Sequence, residues 1–152
     1  MDRSKGRALG IDVGARRVGL AISDGTQTLA RPLATLLVKG TDDAVKQVTR
    51  RIELLRGEED GLVIVVVGLP TTLQGTPNEQ TARVEAFIAA LSNGTTLPIV
   101  RVDERLTSRE AESRLAIRER DWRRRKERLD RAAAAVILQD YLDDTRRKDH
   151  AP

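Results

Sequence analysis

The stretch ALGIDVGARRVGLAISD, residues 8–24, decides the fold of this 152-residue chain. Two short apolar runs, residues 8–13 and 18–23, flank the four residues GARR. Gly14 supplies the permissive backbone that a tight turn between two strands requires. The pattern therefore predicts a β-hairpin near the start of the chain.

Asp12 is a carboxylate inside an otherwise apolar strand, and strand alternation places it on the same face as Ala8 and Gly10. Because an unpaired buried charge is costly, Asp12 either has a partner or serves chemistry. As a turn residue it would accept hydrogen bonds from the amides of the GARR loop. As a chemical group it would sit among small residues because a metal ion and a phosphate must come close to it.

Three further strands follow the hairpin. The run TLARPLATLL contains Pro32, which lacks an amide donor and so favours an edge position. The run LVIVVVG, residues 62–68, is typical of a parallel strand buried on both faces, and PIVRVDE, residues 98–104, ends on two acids. The pattern predicts an α/β fold with a mixed five-stranded sheet, three antiparallel strands followed by two parallel ones, flanked by helices.

Helices are predicted between and after these strands. Thr41 caps the first, over TDDAVKQVTRRIELLRG, and a capping box of Thr76 and Glu79, with proline between them, opens the second. Thr107 and Glu110 form a similar box after the fifth strand, and a last helix covers about residues 129–142. The charged run RERDWRRRKER between these two is a loop, an exposed helix or a disordered flap.

The composition excludes several classes of mechanism. The chain has no cysteine, and its one histidine, His150, lies near the carboxyl terminus. A structural zinc site, a thiol nucleophile and a Ser-His-Asp triad therefore cannot be assembled. Catalysis would have to use carboxylates, lysine, tyrosine or a hydroxyl.

The longest apolar run, LVIVVVGLP, is far shorter than the ~20 residues that span a bilayer. The first residues also lack the apolar segment of a secretory signal. We therefore expect a soluble, cytoplasmic protein with no membrane partner. We expect a single domain over residues 1–152, with an ordered core over about 7–143 and a basic tail over 144–152.

Four acids are candidates for a shared site: Asp12 near the end of the first strand, Asp103 and Glu104 at the end of the fifth, and Asp130 at the start of the last helix. They converge if the first and fourth strands are central neighbours in the sheet. Carboxylates without histidine suit Mg²⁺ or Mn²⁺, and such ions can promote hydrolysis of a phosphodiester.

Each acid also has a purely structural interpretation. Asp103 or Glu104 can pair with Arg101 or Arg105 at the strand end. Asp130 is well placed to stabilise a helix amino terminus as a negative charge in its first turn. The strand pattern alone does not decide between Asp103 and Glu104.

Basic residues are concentrated in one region. The chain carries a net charge of +4, and residues 105–128 hold ten Lys or Arg against five acids, which leaves the remainder near neutral. A solvated helix face is the alternative, but a local basic surface is what phosphate binding requires. Nucleic-acid binding should depend mainly on contacts between phosphates and the basic side chains of Arg123, Arg124, Arg125 and Lys126. Trp122 is the one aromatic candidate for stacking on a base.

Four segments, in this order, resemble one known family: GIDVGARRVGLAISD, VVGLPTTLQG, VDERLTSREAE and LDRAAAAVILQDYLD. The family is YqgF/RuvX, whose members are described as Holliday junction resolvases and also as pre-16S rRNA nucleases. The resemblance covers essentially residues 7–143 and is most specific in DERLTS together with the first segment.

The resemblance implies an RNase H-like fold and a metal-dependent endonuclease. It places the catalytic and metal-binding acids on Asp12, Glu104 and Asp130, with Asp103 in a structural role. Arg17, Thr71, Thr72 and Arg105 would contact nucleic acid or shape the site.

The expected function is hydrolysis of structured nucleic acid. The favoured reaction is maturation of the 5′ end of pre-16S rRNA in a ribosomal precursor particle, and the alternative is cleavage of a four-way DNA junction. A second hypothesis is a non-catalytic nucleic-acid-binding factor in rRNA processing or transcription. A third is an ATPase of the actin and sugar-kinase type, which Ala15 and Arg16 disfavour because that phosphate motif needs a hydroxyl there. Monomeric and dimeric states both remain open.

Overall fold

The computed structural model describes residues 6–70, 78–103 and 122–149, and for 122–126 and 149 it describes the backbone alone. Its five strands form one sheet in the order β3-β2-β1-β4-β5. The strands are β1 (Arg7–Val13), β2 (Arg17–Ser23), β3 (Ala30–Leu37), β4 (Leu62–Leu69) and β5 (Ile99–Asp103). β1, β2 and β3 pair antiparallel, whereas β4 and β5 run parallel to β1. The predicted mixed sheet is confirmed, with Pro32 in an edge strand and β1 beside β4.

The β1–β2 turn needs glycine for a reason other than the expected one. The amide of Gly14 donates to the carbonyl of Arg17 at 2.9 Å, and a Cβ on Gly14 would lie 2.7 Å from that same oxygen. The φ angle of Gly14 is not positive. The turn therefore requires glycine because a side chain would not fit there, and not because the backbone is left-handed.

The first two helices are α1 (Thr41–Arg56) and α2 (Glu79–Ser92). Gly40 is the N-cap of α1, so Thr41 is inside the helix and does not cap it as predicted. The capping box of α2 uses Asn78 and Thr81, which exchange hydrogen bonds of 3.0 and 2.9 Å. The predicted box of Thr76 and Glu79 is therefore wrong, because Asn78 is as good an N-cap as threonine and a hydroxyl stands three residues later.

The last helix, α3, spans Trp122–Asp149 and is longer than predicted at both ends. It begins within the charged run because Arg, Lys, Glu and Ala all favour helix. It also continues through residues 144–149 of the predicted basic tail. Asp130 therefore lies more than two turns inside α3, which makes its interpretation as an amino-terminal helix acid wrong. The helix predicted from Thr107 lies outside the described residues.

Helices cover both faces of the sheet. α1 and α2 pack on the face that carries the larger apolar residues of β1 and β2. α3 packs on the other face, mainly against β2, β3 and β1. The core on that second face is formed by Ala8, Ala21, Ile64, Val66, Ala134, Ile137, Leu138 and Leu142. In the described ranges, no helix is both long and apolar enough to cross a bilayer.

Candidate functional site

Asp12 lies on β1, half-buried, directly opposite Gly19 of β2. Partners in an antiparallel pair present their side chains on the same face of the sheet, with Cβ positions about 5 Å apart. The face of Gly19 is the one that α3 covers. The Asp12 carboxylate therefore emerges at the junction of β1, β2 and α3.

Two glycines bring the backbone of α3 down onto this face. A Cβ on Gly19 would lie 2.0 Å from the carbonyl oxygen of Asp130. A Cβ on Gly10 would lie 2.7 Å from the Cβ of Leu138 and 2.9 Å from the carbonyl oxygen of Ala134. The close approach of α3 to the sheet therefore depends on having no side chain at either position. It places the backbone of Asp130 against Gly19, the β2 residue that pairs with Asp12, although residues 12 and 130 are far apart in the sequence.

The small residues around Asp12 therefore have a different role from the predicted one. They were expected to leave space for a metal ion and a phosphate, but α3 occupies the space at Gly10 and Gly19. Gly19 is a site-forming residue that the sequence-based prediction does not include. Its signal was the hairpin register, which pairs Gly19 with Asp12 and places Ala21 opposite Gly10, so that both strands are small on one face.

Side-chain hydrogen bonds set the position of α3 along its axis. The amide side chain of Gln139 donates to the carbonyl of Thr28 at 3.0 Å and accepts from the amide of Ala30 at 2.8 Å. Nearer the start of α3, the hydroxyl of Thr35 donates to the carbonyl of Glu127. These contacts lie on both sides of Asp130, so the helix cannot slide without breaking them.

Arg17 forms an ion pair with Asp130. The Nε of Arg17 donates to Oδ2 of Asp130 at 2.7 Å, and the two side chains are 33% and 25% exposed. Arg17 was predicted as a nucleic-acid-binding residue. The structure places its guanidinium on one of the candidate metal-binding acids.

The alternation of β5 separates Asp103 from Asp12. Val100 and Val102 pack on the cluster under α3, whereas Arg101 points to α2 and donates two hydrogen bonds to Glu85, of 2.7 and 2.9 Å. The hydrogen bond from Arg101 lowers the pKa of Glu85. Because strand residues two apart share a face, Asp103 lies on the same side as Arg101, which is the α2 side of the sheet. Asp12 lies on the opposite side.

The remaining predicted site residues are only partly described. Glu104, Arg105, Thr71 and Thr72 lie outside the described residues. Trp122, Arg123, Arg124, Arg125 and Lys126 form the first turns of α3, described at backbone level.

Within the described ranges, no group of three or more acidic, histidine or cysteine side chains is placed to hold a metal ion. Asp12 and Asp130 are the described members of the predicted set of three acids. Both offer hard carboxylate oxygens, and no sulfur or imidazole of the described ranges accompanies them, so this donor set fits Mg²⁺ or Mn²⁺ better than zinc or copper.

A family model described as "RuvX: Holliday junction resolvase" matches residues 6–144. The chain belongs to the RuvX family. A relative from Chloroflexus aggregans, named "Putative pre-16S rRNA nuclease", is 41% identical over 138 residues, covering 91% of this chain and 94% of the relative. A relative of the same name from Roseiflexus sp. is 38% identical over 146 residues, covering 96% of this chain and 100% of the relative.

Solved structures of two resolvases share the fold of this RuvX-family chain. RuvC of Thermus thermophilus, solved in complex with a Holliday junction substrate, has a TM-score of 0.55 at 17% identity and covers 93% of this chain and 96% of its own. The yeast mitochondrial Holliday junction resolvase has a TM-score of 0.56 at 11% identity and covers 99% of this chain and 83% of its own. The predicted RNase H-like fold is confirmed.

Proposed function

We propose that this RuvX-family protein is a nuclease that depends on a divalent metal ion and hydrolyses phosphodiester bonds within structured nucleic acid. The observation that carries the proposal is the packing of α3 on Gly19, which brings the backbone of Asp130 onto the strand residue that pairs with Asp12. The chain has no cysteine and its one histidine lies near the carboxyl terminus, so carboxylates are the side chains best suited to hold a metal ion that activates water. The names of the relatives favour the 5′ end of pre-16S rRNA, within a ribosomal precursor, as the substrate.

Asp12 and Asp130 would hold Mg²⁺ or Mn²⁺, with Glu104 as the third ligand. The placement of Asp103 on the α2 side supports Glu104, because it removes the competing acid at the end of β5. When bound, such an ion polarises a phosphoryl oxygen and lowers the pKa of an attacking water.

The residues of the chain itself supply a rigid frame for this centre. Asp12 sits on a central strand, and Asp130 is held on a helix that packs without a gap on Gly19. Both carboxylates are carried by regular elements rather than loops, which limits their movement relative to each other. The nucleic acid would approach the site where the Asp130 side chain keeps a quarter of its surface exposed.

The start of α3 is the proposed nucleic-acid surface, together with Thr71, Thr72 and Arg105. Residues 122–126 of α3 lie about 6–12 Å from Asp130 along the helix axis, from the rise of 1.5 Å per residue. This run contains Trp122, three arginines and a lysine. A phosphate backbone held there would extend over the acidic pair.

Salt dependence tests this surface. Replacing Arg123, Arg124 and Arg125 together with alanine should reduce the slope of log affinity against log salt by up to about three, because each lost phosphate contact removes ~0.9. The matched control replaces Arg146, Arg147 and Lys148, three exposed cations at the other end of α3. Binding is measured by fluorescence anisotropy between low and moderate salt. Equal slopes in both variants would exclude the start of α3 as the binding surface.

The substrate is tested by cleavage. The protein is incubated with a 16S rRNA precursor and with a four-way DNA junction, in Mg²⁺, in Mn²⁺ and with chelator. We expect cutting of the rRNA precursor that requires the metal ion. Cutting of the junction alone would make the protein a resolvase, the activity in the description of its family. Tight binding without cutting of either would favour the non-catalytic factor.

A further inference from the structure

We propose that Arg17 is a positioning residue that occupies Asp130 in the metal-free protein and must be displaced before a divalent ion binds fully. Its guanidinium holds the Asp130 carboxylate in place and keeps the affinity for the ion low. The inference rests on the proposed function, because it assumes that Asp12 and Asp130 form the metal centre. It adds a group that competes with the metal ion for one of its ligands.

The backbone of β2 directs Arg17 to this role. Arg17 is the first residue of β2, and Gly19 and Ala21 follow it on the same face of the strand, the one that packs against α3. Gly19 contacts the backbone of Asp130, so the side chain two residues earlier lies at the right height to meet the Asp130 carboxylate. The 2.7 Å separation of Nε and Oδ2 is that of a strong, charge-assisted hydrogen bond.

The pair blocks the site in two ways. An Oδ2 lone pair that accepts the Nε–H of Arg17 is not offered to a metal ion. The positive guanidinium also repels a divalent ion at the distance of a direct contact, where solvent screens the charges least.

The pair is nevertheless breakable. Both side chains keep a quarter to a third of their surface exposed, so water can replace either partner. When a fully buried ion pair separates, each charge is left buried without a partner. When this partly exposed pair separates, water takes the place of the lost partner. The released guanidinium lies next to the acids, where a phosphate of the substrate can accept its hydrogen bonds. Arg17 can therefore contact Asp130 first and a phosphate of the nucleic acid afterwards, which agrees with its predicted role in nucleic-acid binding.

The test compares Arg17→Gln with Arg16→Gln. Arg16 is an exposed cation in the same turn, so both variants lose one positive charge at neighbouring positions. Mn²⁺ binding to the full chain, stripped with chelator, is measured by titration calorimetry at 0.15 M salt. We expect Arg17→Gln to bind Mn²⁺ about tenfold more tightly, because one charge-assisted hydrogen bond no longer competes. Arg16→Gln should change the affinity by about twofold or less, since longer-range charge effects are screened within about 8 Å.

Equal tightening in both variants would overturn the proposal, because a general charge effect would then explain it. Unchanged or weaker binding in Arg17→Gln would also overturn it. Asp12→Asn is titrated in parallel: binding equal to wild type would show that the proposed centre is wrong, independently of Arg17. Absence of binding in all proteins would overturn both proposals.

A second measurement follows the contact in the wild-type protein itself. The side-chain Nε–H signal of Arg17 is followed by NMR in the wild-type protein as Mg²⁺ is added, with Arg17→Lys used for assignment. A shift of that signal that saturates with Mg²⁺ supports displacement from Asp130. A signal that stays constant while calorimetry shows Mg²⁺ bound would overturn the proposal.

Discussion

Asp12→Asn is expected to slow cleavage of the substrate by about a thousandfold or more, a loss of ~4 kcal/mol of transition-state stabilisation. The substitution keeps the size and shape of the side chain but removes its negative charge, and an uncharged amide is a poor ligand for Mg²⁺. Asp12 pairs with Gly19, where the backbone of α3 meets the sheet, and no other residue of β1 is acidic. The rate is measured in single turnover with enzyme in excess and saturating Mg²⁺.

Asp42→Asn is the matched control for this experiment. Asp42 is exposed in the first turn of α1, on the opposite side of the sheet from α3, and its substitution makes the same change of charge. We expect Asp42→Asn to cut at the wild-type rate and Asp12→Asn to bind nucleic acid with unchanged affinity. Equal cutting by Asp12→Asn and wild type would place the activity elsewhere, in a contaminating nuclease above all.

Gly19→Ala is expected to lower the free energy of unfolding by about 2–3 kcal/mol, the upper range for an extra methyl group in a close-packed region. The added Cβ meets the carbonyl carbon and oxygen of Asp130, which belong to the backbone of α3 and cannot rotate away. The helix must therefore shift from the sheet and carry the Asp130 carboxylate with it. Cleavage should fall at least about tenfold even at temperatures where the variant is fully folded, since small misplacements of catalytic groups are costly.

Gly57→Ala separates this effect from a general effect of adding a methyl group. The nearest atom to a Cβ on Gly57 is 3.6 Å away, and its φ of −80° suits alanine. We expect this control to be neutral or up to ~1 kcal/mol more stable, because alanine restricts the unfolded chain. Urea unfolding measures both variants. A Gly19→Ala protein as stable and as active as Gly57→Ala would contradict the role assigned to the contact between β2 and α3.

Local patterns in the sequence predicted most of the sheet. The hairpin, the buried parallel strand and the edge position of Pro32 each depend on residues close together in the chain, and all three are confirmed. The alternation of large and small residues in β1 also predicted correctly which residues share a face. These signals are strong because a shift of one residue in a strand exchanges its two faces.

The start of α3 and the cap of α2 were not predicted correctly. Charged residues favour helix as much as they favour an exposed loop, so the run before Asp130 gave no boundary. Two capping boxes two residues apart compete for the start of α2, Thr76 with Glu79 and Asn78 with Thr81. The hydroxyl of Thr81 also donates to the carbonyl of Pro70, a contact that the local sequence pattern does not contain.

The geometry of the site depends on contacts between distant parts of the chain. The ion pair of Arg17 with Asp130 and the approach of Asp130 to Gly19 exist only because α3 crosses the hairpin at one particular height. Hydrophobic periodicity indicates which face of a helix is buried but not how close its backbone comes to a sheet. The resemblance to a family supplied the acids, and the structure adds that α3 brings the backbone of Asp130 onto Gly19, the residue paired with Asp12.

The most direct test of the Asp12–Asp130 centre is a crystal structure with Mn²⁺, located by its anomalous scattering. We predict an anomalous peak coordinated by the carboxylates of Asp12 and Asp130, with the Arg17 guanidinium withdrawn from Asp130. An Mn²⁺ ion bound only at other acids, with the Arg17–Asp130 pair intact, would contradict the proposed metal centre.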